Sequence, residues 1–282
     1  MSRAAPPAAA SAGPGPRAAA ASAGSAAASA ARFAPCVVVP VYDHERAVGA
    51  LVAALEPLGL DCWLVDDGCG APCRALVERL ALEHPGWLHA IRLPRNQGKG
   101  AAVMAGLRAA QRAGFTHAVQ IDADLQHRPA DIERFVRAAR AAPGAVVSGV
   151  ARYDASVPRV RLYGRSITHA LVWLHTLSFA IRDSMCGLRV YPIAPTVALD
   201  ARRPFGRRMQ FDTDAIVRLH WAGLPVVNLD TPVTYPADGV SHFAMVRDNL
   251  RMAALHLRLL AGMLARLPGR LARRVRPAAQ PR

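Results

Sequence analysis

"AVQIDADLQHRP", residues 118–129, decides how the rest of this sequence is read. A short apolar run leads straight into Asp122 and Asp124, with one alanine between them. Such a run closed by a polar turn reads as a buried strand. Ending it with two carboxylates is costly, because each loses water and the pair repels. A positive partner is required. Carboxylates at i and i+2 suit a hard divalent cation, Mg²⁺ or Mn²⁺, which also takes substrate phosphates as ligands. Gln126 adds a neutral oxygen, and Pro129 fits the first turn of a following helix.

Working outward, the same alternation recurs. "CVVVPVY" (36–42), "CWLVDDG" (62–68), "LHAIRL" (88–93), "HAVQID" (117–122) and "AVVSGV" (145–150) read as strands. Between them, residues 45–57, 72–83, 98–114 and 129–141 read as helices. Strands alternating with helices predict an α/β fold: a mainly parallel sheet with helices on both faces. Ligands of such sheets bind beyond the carboxyl ends of the strands. The polar residues gather at that edge: Tyr42-Asp43, then Asp66-Asp67-Gly68, then "RNQGKG" (95–100), then Asp122 and Asp124. A single carboxylate there is a common turn former or cap; four strand ends in register call for more. "RNQGKGAA" offers backbone N–H groups and Lys99 to an anion such as a pyrophosphate, with a solvated turn as the plainer alternative. It lacks the P-loop spacing, and no G-x-G-x-x-G follows the first strand.

The chain has 282 residues, 52% of them apolar, and a formal net charge of +15, which favours anionic partners. Five scattered cysteines, Cys36, Cys62, Cys69, Cys73 and Cys186, fit neither a disulfide framework nor a structural zinc site and read as reduced thiols of a cytoplasmic protein. Residues 1–32 are Ala, Ser, Pro and Gly with a few Arg; they cannot bury a face and read as a disordered tail. No window is apolar enough for a transmembrane span.

The motifs "VVVPVYDHE", "VDDG", "RNQGKGAAVMAG" and "DADLQHRP" resemble, in order and spacing, the family 2 glycosyltransferases of the Rossmann-like GT-A fold. Within that family the chain looks most like the dolichyl- or polyprenyl-phosphate sugar transferases, over roughly residues 35–235. The resemblance implies an inverting, metal-dependent transfer of a sugar from a nucleotide-sugar to a membrane-associated lipid acceptor. That acceptor is a polyprenyl phosphate or a lipid hydroxyl, used in cell-envelope glycolipid or polysaccharide synthesis. It implies that Pro40, Tyr42, Asp43 and Asp67 hold the nucleobase, with Tyr42 against the ring. Asn96, Gly98 and Lys99 would border the nucleotide, and Asp122, Asp124 and Gln126 would bind the metal on the diphosphate.

In the second half, Arg152, Arg161, Arg165, Ser166, Asp183, Gly187 and Arg189 fit the family outline, with Leu188 where Phe is common. The arginines would meet an acceptor phosphate in bidentate forks; surface arginines of an Arg-rich chain are the alternative. Asp212 and Asp214 in "MQFDTDAIVRLHWAG" are candidate catalytic acids, although an N-cap and a favourable helix-dipole charge explain them too. A phosphate acceptor needs no base, whereas a hydroxyl does. Residues 33–240 are expected to form the catalytic domain. Residues 241–282 are expected to form a basic amphipathic helical segment on an anionic membrane surface, peripheral to the inner face of the cell membrane; packing on the domain is the alternative. Two competing classes are a nucleotidyltransferase acting on a sugar phosphate and a nucleic-acid binder. The first usually has a Gly-rich loop after strand one, and "PVYDHERA" has none. Against the second stand 6% aromatic residues and no reader motif.

Overall fold

The first strand, β1 (Pro35–Val41), is buried almost end to end, and its side chains serve two cores in alternation. Val37, Val39 and Val41 join one cluster; Cys36 and Val38 join the other. That period of two with both faces apolar is what a central strand covered on both sides demands. In the computed structural model, residues 33–153, 157, 159–234 and 245–275 are described, side chains excepted at 159–162 and 269–275. The tail of residues 1–32 and the side chain of Arg161 lie outside them.

After β1 come α1 (Glu45–Leu55), β2 (Cys62–Asp66), α2 (Ala71–Glu83), β3 (Leu88–Arg92), α3 (Lys99–Arg112), β4 (His117–Gln120), α4 (Asp131–Ala141) and β5 (Val146–Tyr153). Then follow α5 (Arg159–Thr176), β6 (Arg189–Pro192), α6 (Ile193–Arg202), α7 (Phe211–Trp221), β7 (Val226–Val233) and α8 (Met245–Val275). The seven strands lie in the order β3-β2-β1-β4-β6-β5-β7. β1 runs parallel to β2 and β4, and β2 to β3. The chain thus moves outward to β3, then returns past β1 to β4. This reversal opens a crevice at the carboxyl ends of β1 and β4.

The second half departs from simple alternation. β6 is antiparallel to both neighbours, β4 and β5, and β7 pairs parallel to β5 at the edge. Neither strand was expected from the sequence. β6 spans only four residues, "RVYP", and β7 carries Asn228, Asp230 and Pro232. An edge strand tolerates such residues, because one side of it needs no ladder hydrogen bonds.

Arg189, expected at an acceptor phosphate, is instead fully buried on β6. Its guanidinium donates to the carbonyl of Asp212 at 2.7 Å, the Tyr191 hydroxyl at 3.2 Å and Ser148 Oγ at 3.3 Å, and to the carbonyls of Ser184 and Cys186. It therefore joins β5, β6, the turn before β6 and the start of α7. α8 packs its Leu255 and Leu259 with Val172 of α5 and with Ile216 and Val217 of α7. Among the described residues no helix is long and apolar enough to cross a membrane.

Arg189→Met keeps most of the side-chain volume but strands several buried carbonyls. Each unsatisfied group costs about 1–3 kcal/mol, so a loss of roughly 3–5 kcal/mol is expected. Urea unfolding checks it: the midpoint should fall with an unchanged slope. A midpoint like that of the native protein would remove Arg189 as the organiser of this half.

Candidate active site

One cavity of about 460 Å³ opens at the crevice. Its lining brings together Pro40 and Tyr42 at the end of β1, Asp67 after β2, Asn96, Gly98 and Lys99 at the start of α3, and Asp122 and Asp124 after β4. Eight of the expected residues, from four strand ends, thus share one cleft.

Beneath it lies a charge cluster. Lys99 Nζ sits 2.8 Å from Asp122 Oδ2 and 2.8 Å from Asp212 Oδ2. Burial alone would lower the lysine pKa, but the two carboxylates outweigh it and hold Lys99 above its ordinary value. The same lysine keeps Asp122 below the usual carboxylate range despite its burial. Asp212 is fully engaged: Gln120 Nε2 donates to Oδ1 at 2.9 Å while Lys99 holds Oδ2. Gly98 stands at φ 99°, open only to glycine without strain, and a side chain there would strike Arg207 and Arg208. Gly187 leaves no room for a Cβ against the Asp122 carboxylate, which explains the glycine after Cys186.

The residues present fit a divalent cation. Asp122 Oδ1 is buried without a hydrogen-bond partner. Asp124, two residues on, accepts the Gln126 N–H at Oδ1, 3.1 Å away. Burial first, and Asp122 second, push the Asp124 carboxyl up to about 6. Three carboxylates face one ammonium here, so once Asp124 ionises two negative charges remain for a cation to neutralise. The turn itself is strained, with Leu125 at φ 58°.

Other expected residues are placed differently. Asp67 is buried and accepts the N–H groups of Gln97 and Gly98, each at 2.7 Å, so these donors are not left for a pyrophosphate. Asp43 does not line the cleft; its carboxylate accepts the Gly70 N–H at 2.8 Å. The Gln126 side chain is not part of the lining. Asp214 is fully buried away from it, accepting the Gly206 N–H at 2.8 Å and Arg258 at 2.7 Å. Arg152 pairs with Asp230 on the surface. Arg165 Nη2 meets both oxygens of Asp183, at 2.7 and 2.6 Å. Arg165, Ser166, His169, Arg182 and Asp183 line a second cavity of about 260 Å³. Asp183 also takes the N–H groups of Ala151, Met185 and Cys186. Burial would raise it, but His169 and Arg165 hold it well below the usual range.

Sequence reasoning missed His44, Arg208 and Asp248 in the cleft, and assigned the segment 241–282, which includes Arg247 and Arg251, to a membrane surface rather than here. Arg208 donates to Asn96 Oδ1 at 2.6 Å, and Arg251 to Asp248 Oδ1 at 2.8 Å. The "RR" before α7 was the available signal for Arg208. Nothing local marks the first turns of α8 as part of a site more than 120 residues away in sequence from Asp122.

The profile of Glycosyl transferase family 2 matches residues 36–201, more than half of the chain. The chain belongs to this family. It is therefore a glycosyltransferase, which sets aside the nucleotidyltransferase and nucleic-acid readings. It is 33% identical over 175 residues to the undecaprenyl-phosphate 4-deoxy-4-formamido-L-arabinose transferase of Salmonella paratyphi A. That match covers 57% of this chain and 50% of the relative, so the chain spans about half the length of that protein. An uncharacterised protein of Methanocaldococcus jannaschii is 26% identical over 159 residues, 54% of this chain and 69% of its own. Among solved structures, the glucosyl-3-phosphoglycerate synthase of Mycobacterium tuberculosis in complex with Mn²⁺, uridine-diphosphate-glucose and phosphoglyceric acid matches with TM-score 0.60. Its identity is 16%, over 84% of this chain and 80% of that one. The mannosyl-3-phosphoglycerate synthase of Rubrobacter xylanophilus matches with TM-score 0.59 and 19% identity, over 88% and 79%. These likenesses establish the GT-A fold.

A cation binding at Asp122 and Asp124 must displace the Asp124 proton. Mn²⁺ affinity should therefore be flat above about pH 7 and weaken about tenfold per unit below about pH 6. Titration calorimetry across that range checks it, with Asp124→Asn expected to lose the high-affinity site. Affinity independent of pH, or unchanged in the variant, would remove Asp124 from the metal site.

Proposed function

We propose that this glycosyltransferase moves a sugar from a nucleoside-diphosphate donor to a membrane-borne lipid phosphate, with inversion at the anomeric carbon. The observation that carries the reading is the cleft floor: paired carboxylates with an orphaned oxygen, beside a lysine, at the switch point of the sheet. A divalent cation bound there supplies Lewis-acid stabilisation of the departing diphosphate. Tyr42 and Pro40 would flank the base, and Asp67 would act through the turn it holds rather than by direct contact. Asn96, Lys99, Arg208, Arg247 and Arg251 bring amide and cationic donors to the cleft where the phosphates would lie.

Two features favour a phosphate over a hydroxyl as the nucleophile. Both oxygens of Asp212 already have partners, and it is better read as the partner that orients Lys99. Asp214 is read as a structural clamp between α7 and α8. A phosphate is already anionic and needs no base. The second cavity, with Arg165, Ser166, His169 and Arg182, has donors for such a phosphate, provided Asp183 shares Arg165. The similarity to an undecaprenyl-phosphate transferase supports the same acceptor class.

The surface supports a peripheral membrane position. Eleven large apolar residues are exposed among the described ones, and all but Leu82 lie on α5, the turn after it, and α8. α8 buries Leu255, Leu259 and Met263 yet exposes Val246, Leu250, Leu257 and Leu264 on its opposite side. A helix apolar on two faces has a second face to cover, and a lipid surface suits it.

The test is a panel of nucleotide-sugars with Mn²⁺ and undecaprenyl phosphate in anionic vesicles, reading released nucleoside diphosphate and lipid-linked sugar. Asp124→Ala should lower turnover about a thousandfold. Leu250→Ser with Leu257→Ser should lower turnover on vesicles and spare a short-chain, water-soluble polyprenyl phosphate. Transfer only to hydroxyl lipids, or to soluble sugar phosphates, would replace the acceptor assignment; full activity in Asp124→Ala would remove the metal.

A further inference from the structure

A third cavity, of about 280 Å³, lies where α6, α7 and α8 meet, with Trp221 in its wall. Five arginines line it: Arg202, Arg203, Arg218, Arg258 and Arg266. On α8, Arg258 is seven residues beyond Arg251 of the cleft, or about 10 Å along the helix, and the two linings share no residue, so this is a separate cavity.

Two carboxylates lie nearby, and each already holds an arginine. Asp214 is fully buried and accepts Arg258 at 2.7 Å, with Arg218 3.6 Å away. Asp200 is held by Arg108 and by the Phe205 N–H. Arg218 spends its donors on the carbonyls of Leu199, Arg203 and Pro204. Arg266 lies 4.3 Å over the Trp221 ring and donates to the Gly262 carbonyl. Arg202 and Arg203 have exposed side chains and no side-chain hydrogen bond or ion pair among the described residues. Burial, together with Arg203 and Arg258, pulls Arg218 below its ordinary value although Asp214 opposes this. Like charges are crowded around a cavity whose lining holds five arginines and no acidic residue.

We infer that this cavity binds a phosphate-bearing anion, through the guanidinium forks of Arg202 and Arg203 with Arg218, Arg258 and Arg266 around it. Guanidiniums match phosphate oxygens in bidentate geometry, and several converging on a small cavity suit a dianion or polyphosphate. The anion's source is either a soluble phosphorylated metabolite or an anionic lipid headgroup. Occupancy would tie α8 to α6 and α7, and α8 is also the helix whose first turns line the catalytic cleft.

The probe is inorganic tripolyphosphate, titrated calorimetrically into the full chain at fixed ionic strength with EDTA present, so that metal-dependent binding in the cleft is silent. One site is expected. Arg202→Ser with Arg203→Ser should weaken it about tenfold or more, while Arg202→Lys with Arg203→Lys keeps part of the affinity. Arg208→Ser, in the cleft, should leave it unchanged. Circular dichroism melting shows whether the variants fold; the rim arginines support no buried group, so melting should not move. Phosphatidylglycerol and phosphatidylcholine vesicles separate the two sources. If the anion is a headgroup, the serine variant loses binding to phosphatidylglycerol and tripolyphosphate competes with it. If it is soluble, the variant binds vesicles as the native protein does while losing tripolyphosphate. Native protein that ignores tripolyphosphate, or a folded serine variant that binds it as tightly, would overturn the site.

Discussion

Lys99 placed between Asp122 and Asp212 is the interaction on which the rest of this structure depends. Three charges withdrawn from water are tolerable only when their geometry offsets the lost hydration. Here one ammonium contacts two carboxylates at 2.8 Å each. Three segments distant in sequence are thereby joined: the start of α3, the end of β4 and the first turn of α7. Gly98 lets α3 begin where it must, Arg189 holds the Asp212 carbonyl, and Gly187 lets the chain pass against Asp122. The lysine neutralises part of the acidic cluster, while Asp124 lines the cleft and Asp122 Oδ1 is left buried without a hydrogen-bond partner. The proposed catalytic site and a contact the fold depends on thus share the same few residues.

The distribution of charge beyond that cluster divides the labour. Acidic groups sit at the strand ends, where the proposed cation would bind. Arginines come from outside the sheet: Arg208 from the approach to α7, Arg247 and Arg251 from α8. α8 buries one apolar face against α5 and α7, exposes another, and carries arginines between the two. A single helix therefore touches the donor cleft, the domain core, the proposed lipid surface and the third cavity.

The sheet was legible from the first half of the sequence because β1, β2 and β4 are buried on both faces and end in polar turns. β6 and β7 were not: one is too short for a period, and the other is an edge strand with Asn, Asp and Pro. The carboxylate pair pointed to a positive partner, and the expectation of a cation was incomplete. Lys99 already serves Asp122, a contact that needs the turn between β3 and α3 folded beneath β4. Asp212 and Asp214 look equivalent in "FDTD", yet helical geometry points one at Lys99 and the other at Arg258. Arg189 and Arg165 read as phosphate ligands because composition cannot reveal burial or a pairing with Asp183.

The most direct measurement is anomalous diffraction from crystals grown with Mn²⁺ and the nucleoside diphosphate product. The expected result is one manganese peak at Asp122 and Asp124 beside the diphosphate, with Lys99 still on Asp212 and an arginine of α8 on a phosphate. Manganese elsewhere, or a diphosphate seated in the cleft without contact to the two aspartates, would contradict the assignment of this strand end as the catalytic metal site.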